Sequence, residues 1–158
     1  MPRTNTEWKV VQALNNHYKA NNIDAYAHRL KMGGYTPQHI DILSLSGDPR
    51  YYLGIECKSA IQKNFEGVPF TVLYFSRYFH VTADGANQVT NTTEYLKKCG
   101  LNGYMAFELR GGRGNKNHIW FVPFDIVEAL YNTGEKGMPL EDIMDYPDLL
   151  EVGVEGVL

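Results

Sequence analysis

The sequence has no long apolar run. None approaches the roughly 18–20 consecutive residues a helix needs to cross a bilayer, and the opening Met-Pro-Arg-Thr-Asn-Thr lacks the apolar stretch of a secretory signal. The expectation is a soluble, cytoplasmic protein with no membrane partner. Cysteine is scarce: Cys57 and Cys99 stand alone, outside any paired spacing typical of zinc or redox motifs, and are expected as reduced core residues. The five histidines form neither HxH nor HExxH, which excludes the common zinc-hydrolase signatures. No low-complexity tract or internal repeat is present. What remains is 158 residues at 44% apolar, the composition of one globular domain that buries about 68–70% of its unfolded surface.

A strong positive charge is also missing, since the net charge is −3, which at first disfavours a polyanionic partner. The deficit is local. Up to Tyr131 there are 14 Lys/Arg against 11 Asp/Glu, and from Asn132 onward one Lys against seven Asp/Glu. A mildly basic body over 1–131 thus precedes an acidic C-terminal tail over 132–158, and the body permits phosphate binding without demanding it.

Periodicity and turn chemistry predict a helix from Thr4 to Asn21, with Trp8, Val11, Leu14 and Tyr18 at helical spacing and a Thr4-x-x-Glu7 capping box. A strand over Asp24–Leu30 and a Gly/Pro loop over 32–38 follow. His39–Leu45 and Tyr51–Lys58 then read as a hairpin around Asp48-Pro49. Phe70–Phe75 can be a strand after a flap. A helix is expected from an Asp84 cap to Gly100, with Val89, Leu96 and Cys99 facing in. Tyr104–Leu109 and His118–Val122 form a second hairpin, and a short helix runs from Asp125 to Tyr131. That order fits an α/β fold, a mixed β-sheet flanked by helices on both faces.

The sharpest constellation lies on the first hairpin. Alternation along a strand places Glu56 and Lys58 on one face and Ile55 and Cys57 on the other. A turn centred on Asp48-Pro49 sets Asp41 opposite Glu56. Directly opposed like charges are destabilising, so a positive group belongs between them. Lys58 is one candidate and a divalent cation the other. Two carboxylates with open water positions suit Mg²⁺, with Mn²⁺ a possible substitute, and a metal so held beside an ammonium is equipment for phosphodiester hydrolysis. Composition alone yields an acidic-x-Lys triplet about once, and Glu7-Trp8-Lys9 is another, on a helix where residues two apart diverge. A half-exposed Asp–Lys–Glu charge cluster is the structural alternative.

These residues resemble the PD-(D/E)xK nuclease superfamily and, within it, the archaeal-type Holliday junction resolvases, which also occur in phages. The shared pattern runs from about Thr4 to Val122: Glu7 in the first helix, Arg29 on the following strand, "HID" with Asp41, and "GIECK" with Glu56 and Lys58. His39-Ile40 stands where the motif has its proline, and neither 59–81 nor the acidic tail has a counterpart. The resemblance implies a restriction-endonuclease-like fold with a nuclease domain over 1–131, and Mg²⁺ held by Asp41, Glu56 and the Cys57 backbone carbonyl. It further implies that Lys58 serves the attacking water, that Glu7 completes the acidic site, that Arg29 contacts phosphate, and that a homodimer nicks a four-way DNA junction symmetrically. The alternatives are a restriction-type or RecB-like nuclease acting on duplex or flap DNA, and a non-catalytic DNA-binding protein.

Several residues carry two readings. Glu7 is explained equally by helix capping, and Arg29 by a pair with Asp24 or by solvent. Gln88 has a counterpart near the metal in related nucleases, but also fits a solvated helix face. His39 can touch DNA or be a strand-end polar group. The loop Gly111–Asn117 is no P-loop and reads as a hairpin tip, yet Arg113 and Lys116 on it, with Arg110, Lys31, Lys63 and Arg77, suit phosphate contacts. Tyr74, Phe75, Tyr78 and Phe79 read as core or dimer interface rather than a base-stacking platform. The tail can dock on the body, bind a partner, or compete with DNA.

Overall fold

The structure, a computed structural model, describes residues 5–31, 38–81 and 85–158. Its elements are α1 (Thr6–Ala20), β1 (Ala25–Arg29), β2 (Ile42–Ser46), β3 (Leu53–Ile61), β4 (Val72–Tyr74), α2 (Phe75–Tyr78), α3 (Gln88–Cys99), β5 (Asn102–Arg110), β6 (His118–Pro123), α4 (Phe124–Asn132), β7 (Gly137–Pro139), α5 (Leu140–Ile143) and α6 (Leu149–Val157). A five-stranded sheet runs in the order β1-β2-β3-β5-β6. Only β3 and β5 pair in parallel, joined by the crossover through α3, and the other neighbours are antiparallel. β4 and β7 form a separate two-stranded sheet. The fold is the expected α/β arrangement, a mixed β-sheet flanked by helices on both faces.

Each face of the large sheet carries its own core. Val10, Leu14 and Tyr18 of α1 and Leu149, Val154 and Val157 of α6 pack on Ile42, Ile55, Ala106 and Phe121. On the opposite face Val89 and Leu96 of α3, Phe124 and Val127 of α4, and Phe75 and Phe79 pack on Met105, Phe107 and Val122. The aromatic run is therefore split, with both phenylalanines in the core and Tyr74 half out in solvent. At α1 the cap is Asn5, whose side chain accepts from the Trp8 N–H at 2.9 Å; the expected cap, Thr4, lies outside the described residues. Trp8 is 46% exposed, because it sits about 120° around the helix from Leu14. Helix α3 starts later than expected, capped by Asn87, and Asp84 is outside the described residues. Gly100 ends α3 with a left-handed backbone at φ +67°. Cys99 does not face in: it is exposed.

The segment over 132–158 does not hang off the body as a tail. Met138 and Ile143 enter one core, and Leu149, Val154 and Val157 the other. Its acidic side chains Glu141, Asp142, Asp145, Glu151 and Glu155 point outward, while Asp148 is buried. Asp148 caps α6, accepts from the backbone N–H groups of Leu150 and Ile119 at 3.0 Å each, and pairs with His118 Nδ1 at 2.7 Å. Of the three roles open from sequence, docking on the body is the one observed.

Candidate active site

The ladder between β2 and β3 pairs Ile42 with Ile55, Leu43 with Gly54 and Ser44 with Leu53, the register the turn chemistry predicts. It stops one residue short of Asp41, which sits in a bend rather than in the strand. Ile40 and Ile42 accordingly enter different cores. The backbone still ties Asp41 in place: its N–H donates to the Ile55 carbonyl at 3.0 Å, and its carbonyl accepts from Leu30 N–H at 2.8 Å. Where the ladder ends, its carboxylate takes over. Oδ2 accepts from the Cys57 N–H at 2.8 Å, and Oδ1 accepts from Gln38 Nε2 at 2.7 Å.

Glu56 and Lys58 share the face of β3 that looks toward α3, as alternation requires. Glu56 is buried, and its Oε1 accepts from Lys58 Nζ at 3.0 Å and from Gln88 Nε2 at 3.1 Å. Burial pushes its carboxyl up to about 7; the Lys58 ammonium opposes that shift and the nearby Asp41 carboxylate adds to it. The Lys58 ammonium, on a side chain only 12% exposed, also lies 4.6 Å above the Phe79 ring.

Gln88 is no solvated helix-face residue. Its Oε1 accepts from the His80 backbone N–H at 3.2 Å, which fixes the amide so that Nε2 faces Glu56. Helix α3 comes this close to the sheet because Gly54 and Gly103, paired in register, leave a hole for Leu96. A Cβ at Gly54 would lie 2.6 Å from Leu96 Cδ2.

Glu7 projects from the first turn of α1, and its Oε2 meets the Arg29 guanidinium at 2.8 Å. Arg29 thus pairs with Glu7 rather than with Asp24. Burial raises the Cys57 thiol well above its ordinary value, and the negative charges of Asp41, Glu56 and Glu7 all push it further. Two carboxylates, Asp41 and Glu56, and Lys58 therefore converge around residues 56–58, while Glu7 is engaged with Arg29.

One charged group had escaped sequence reasoning. Glu108 on β5 has no solvent exposure; it accepts from Thr6 Oγ1 at 2.9 Å and from Arg110 Nε at 3.2 Å, and pairs with Lys9. Its signal was available, since a lone carboxylate inside the apolar strand YMAFELR, buried on both faces, has to be paired. The network seats the N-terminus of α1 on β5, and with it Glu7.

The other basic candidates spread along one rim. Lys31 is exposed beside residues outside the described set. Lys63 lies on the loop after β3, Arg77 on α2, and Arg113 and Lys116 on the β5–β6 turn, all exposed. Arg110 is partly tied to Glu108. His39 turns away to stack on Tyr95, ring centroids 5.0 Å apart, and its carbonyl accepts from Thr92. His118, Asp148 and Glu151 also lie close together, but both Asp148 oxygens are already engaged with the α6 cap, β6 and His118.

The donor set suits a hard divalent cation: two carboxylates and the adjacent Cys57 carbonyl offer oxygen only, and a carboxyl raised by burial, with a neighbouring acid adding to the shift, is one a cation would return to its charged form. An Asp at a strand end beside Glu-x-Lys on the next strand, within a helix-clad mixed sheet, is the layout that the sequence resemblance implies. Among solved structures the chain is similar to Hjc, a Holliday junction resolvase from the archaeal hyperthermophile Archaeoglobus fulgidus. The TM-score is 0.51 with 22% identity, covering 89% of this chain and 93% of that one. At this identity the likeness establishes a shared fold. No family model and no curated protein matches the sequence.

Proposed function

We propose that this chain is a Mg²⁺-dependent endodeoxyribonuclease that resolves four-way DNA junctions, working as a homodimer that makes paired symmetric nicks. The observation that carries the reading is the convergence of Asp41, Glu56 and Lys58 at the middle of β3, in a fold shared with a junction resolvase. Asp41, Glu56 and the Cys57 carbonyl would hold the metal, which when bound polarises a phosphoryl oxygen and acidifies a water. Mn²⁺ can take its place.

The side chains have separable tasks. Gln88 and Lys58 fix one oxygen of Glu56, and the carboxyl also meets Asp41, so a metal would be shared between the two acids. Lys58 has donors beyond the one Glu56 takes, and these orient the attacking water or meet charge developing on phosphate. Phe79 and Glu56 together hold that ammonium in a single place. Arg29, paired with Glu7 but with a side chain still 38% exposed, contacts the phosphate backbone. A dimer follows from geometry, because two coordinated nicks need two sites about a two-fold axis.

A synthetic four-way junction, a linear duplex and a flap are offered with Mg²⁺ and then with chelator. Symmetric nicks in the junction, abolished by chelator, are expected. Asp41→Asn should remove cleavage while junction binding survives; unchanged cleavage refutes the site assignment.

A further inference from the structure

Phe65 is the most exposed large apolar side chain of the described residues, at 97%. It lies at the tip of the loop that continues β3 beyond Lys58, the segment over 59–81 that the nuclease resemblance leaves without a counterpart. The loop is not slack. Asn64 Oδ1 accepts from the backbone N–H groups of Glu66 and Val68 at 2.9 and 3.0 Å, and the Asn64 N–H donates to the Val68 carbonyl at 3.0 Å. Gly67, at φ +79°, donates to the Asn64 carbonyl at 2.9 Å, and Lys63 bridges to Pro69. This tight turn presents Phe65 to water, flanked by the exposed Ile61 and Val68.

The surroundings select its partner. The Gln62 N–H donates to the Arg110 carbonyl at 2.7 Å, so the loop stands beside the β5–β6 turn. Lys63, Lys116 and Asn115 line one cavity there, and Asn64, Arg77 and Arg110 line a second that shares Pro69 and Phe70 with it. Glu66 is the loop's only carboxylate, and Glu108 below is already matched by Lys9 and Arg110. A ring held out among cations fits a polyanion that also offers flat apolar faces. A second copy docked there about a two-fold axis would bring two such basic surfaces together.

We infer that Phe65 is a wedge that stacks on an open base-pair face of branched DNA while Lys63, Arg113 and Lys116 hold the flanking phosphates. The inference rests on the junction-nuclease reading above. In continuous duplex such a ring must first part stacked bases, whereas at a branch point the stack is already interrupted. The wedge therefore contributes to selection of junction over duplex, not to affinity for DNA at large.

The test uses the full chain in chelator, as wild type, Phe65→Ala and Phe65→Trp. Binding to a four-way junction and to linear duplex is read by anisotropy, and the branch point by 2-aminopurine fluorescence. Phe65→Ala should weaken junction binding about tenfold, leave duplex binding within about twofold, and lose the 2-aminopurine response, while Phe65→Trp keeps all three. Equal loss on both DNAs, or none on either, overturns the wedge while leaving the nuclease reading intact. A shift of the DNA-free protein from dimer to monomer on Phe65→Ala also overturns it, and assigns the ring to self-association. A wild type without junction preference overturns the junction reading and this inference together.

Discussion

Glu56 is asked to be charged in a place that opposes charge. Its carboxyl titrates near 4.5 in an unfolded chain and about 7 in the folded one, with burial the leading cause. The proton-bound form thus favours folding: that contribution is complete below about pH 4.5 and lost as pH rises through about 7. The shift corresponds to at most about 3 kcal/mol. In chelator, urea melts of wild type and Glu56→Gln at pH 5 and pH 8 should show the variant gaining relative stability at the higher pH. A constant difference between the two proteins would contradict the buried, acid-crowded setting of Glu56. The same logic makes cation binding release a proton below neutrality and strengthen as pH rises.

At the level of elements, strand chemistry was legible where side chains alternate and the turn sets the register. The pairing of Ile42 with Ile55, and the shared face of Glu56 and Lys58, follow from those rules alone. The bend at Asp41 was not legible, because it arises from a carboxylate standing in for a ladder carbonyl. Nor was the placement of Gln88, which depends on how closely α3 approaches the sheet. That approach is set by Gly54 and Gly103, whose missing side chains admit Leu96. Leu96 is buried against both glycines, so a methyl group at Gly54 must displace it. Gly54→Ala should therefore cost about 1–3 kcal/mol by overpacking and slow cleavage by displacing Gln88 from Glu56. Adding Leu96→Ala should recover part of the cleavage rate, because α3 can then settle back. If Gly54→Ala melts and cleaves like wild type, the close seat of α3 is not what positions Gln88.

Across the whole molecule, the charge split misled because net charge reports the surface and not what lies beneath it. The segment over 132–158 carries its acids outward, and its Met138, Ile143, Leu149, Val154 and Val157 inward. It also protects an edge. β6 ends the large sheet, and the stretch before α6 lies along it: the Phe121 N–H donates to the Pro147 carbonyl at 3.0 Å, and Trp120 bridges to Asp148. β4 has β7 as its sole strand partner among the described residues. Removing 132–158 would expose an unpaired strand edge together with Ile119 and Phe121, and would leave β4 without its ladder. A chain ending at Tyr131 should therefore lose its cooperative thermal transition and aggregate, whereas Glu141, Asp142 and Glu155 changed together to Gln should leave the melting temperature nearly unchanged, since all three face solvent. Circular-dichroism melts of both variants decide the matter: a truncated chain that still unfolds cooperatively within a few degrees of the full protein would restore the segment to the status of an appendage.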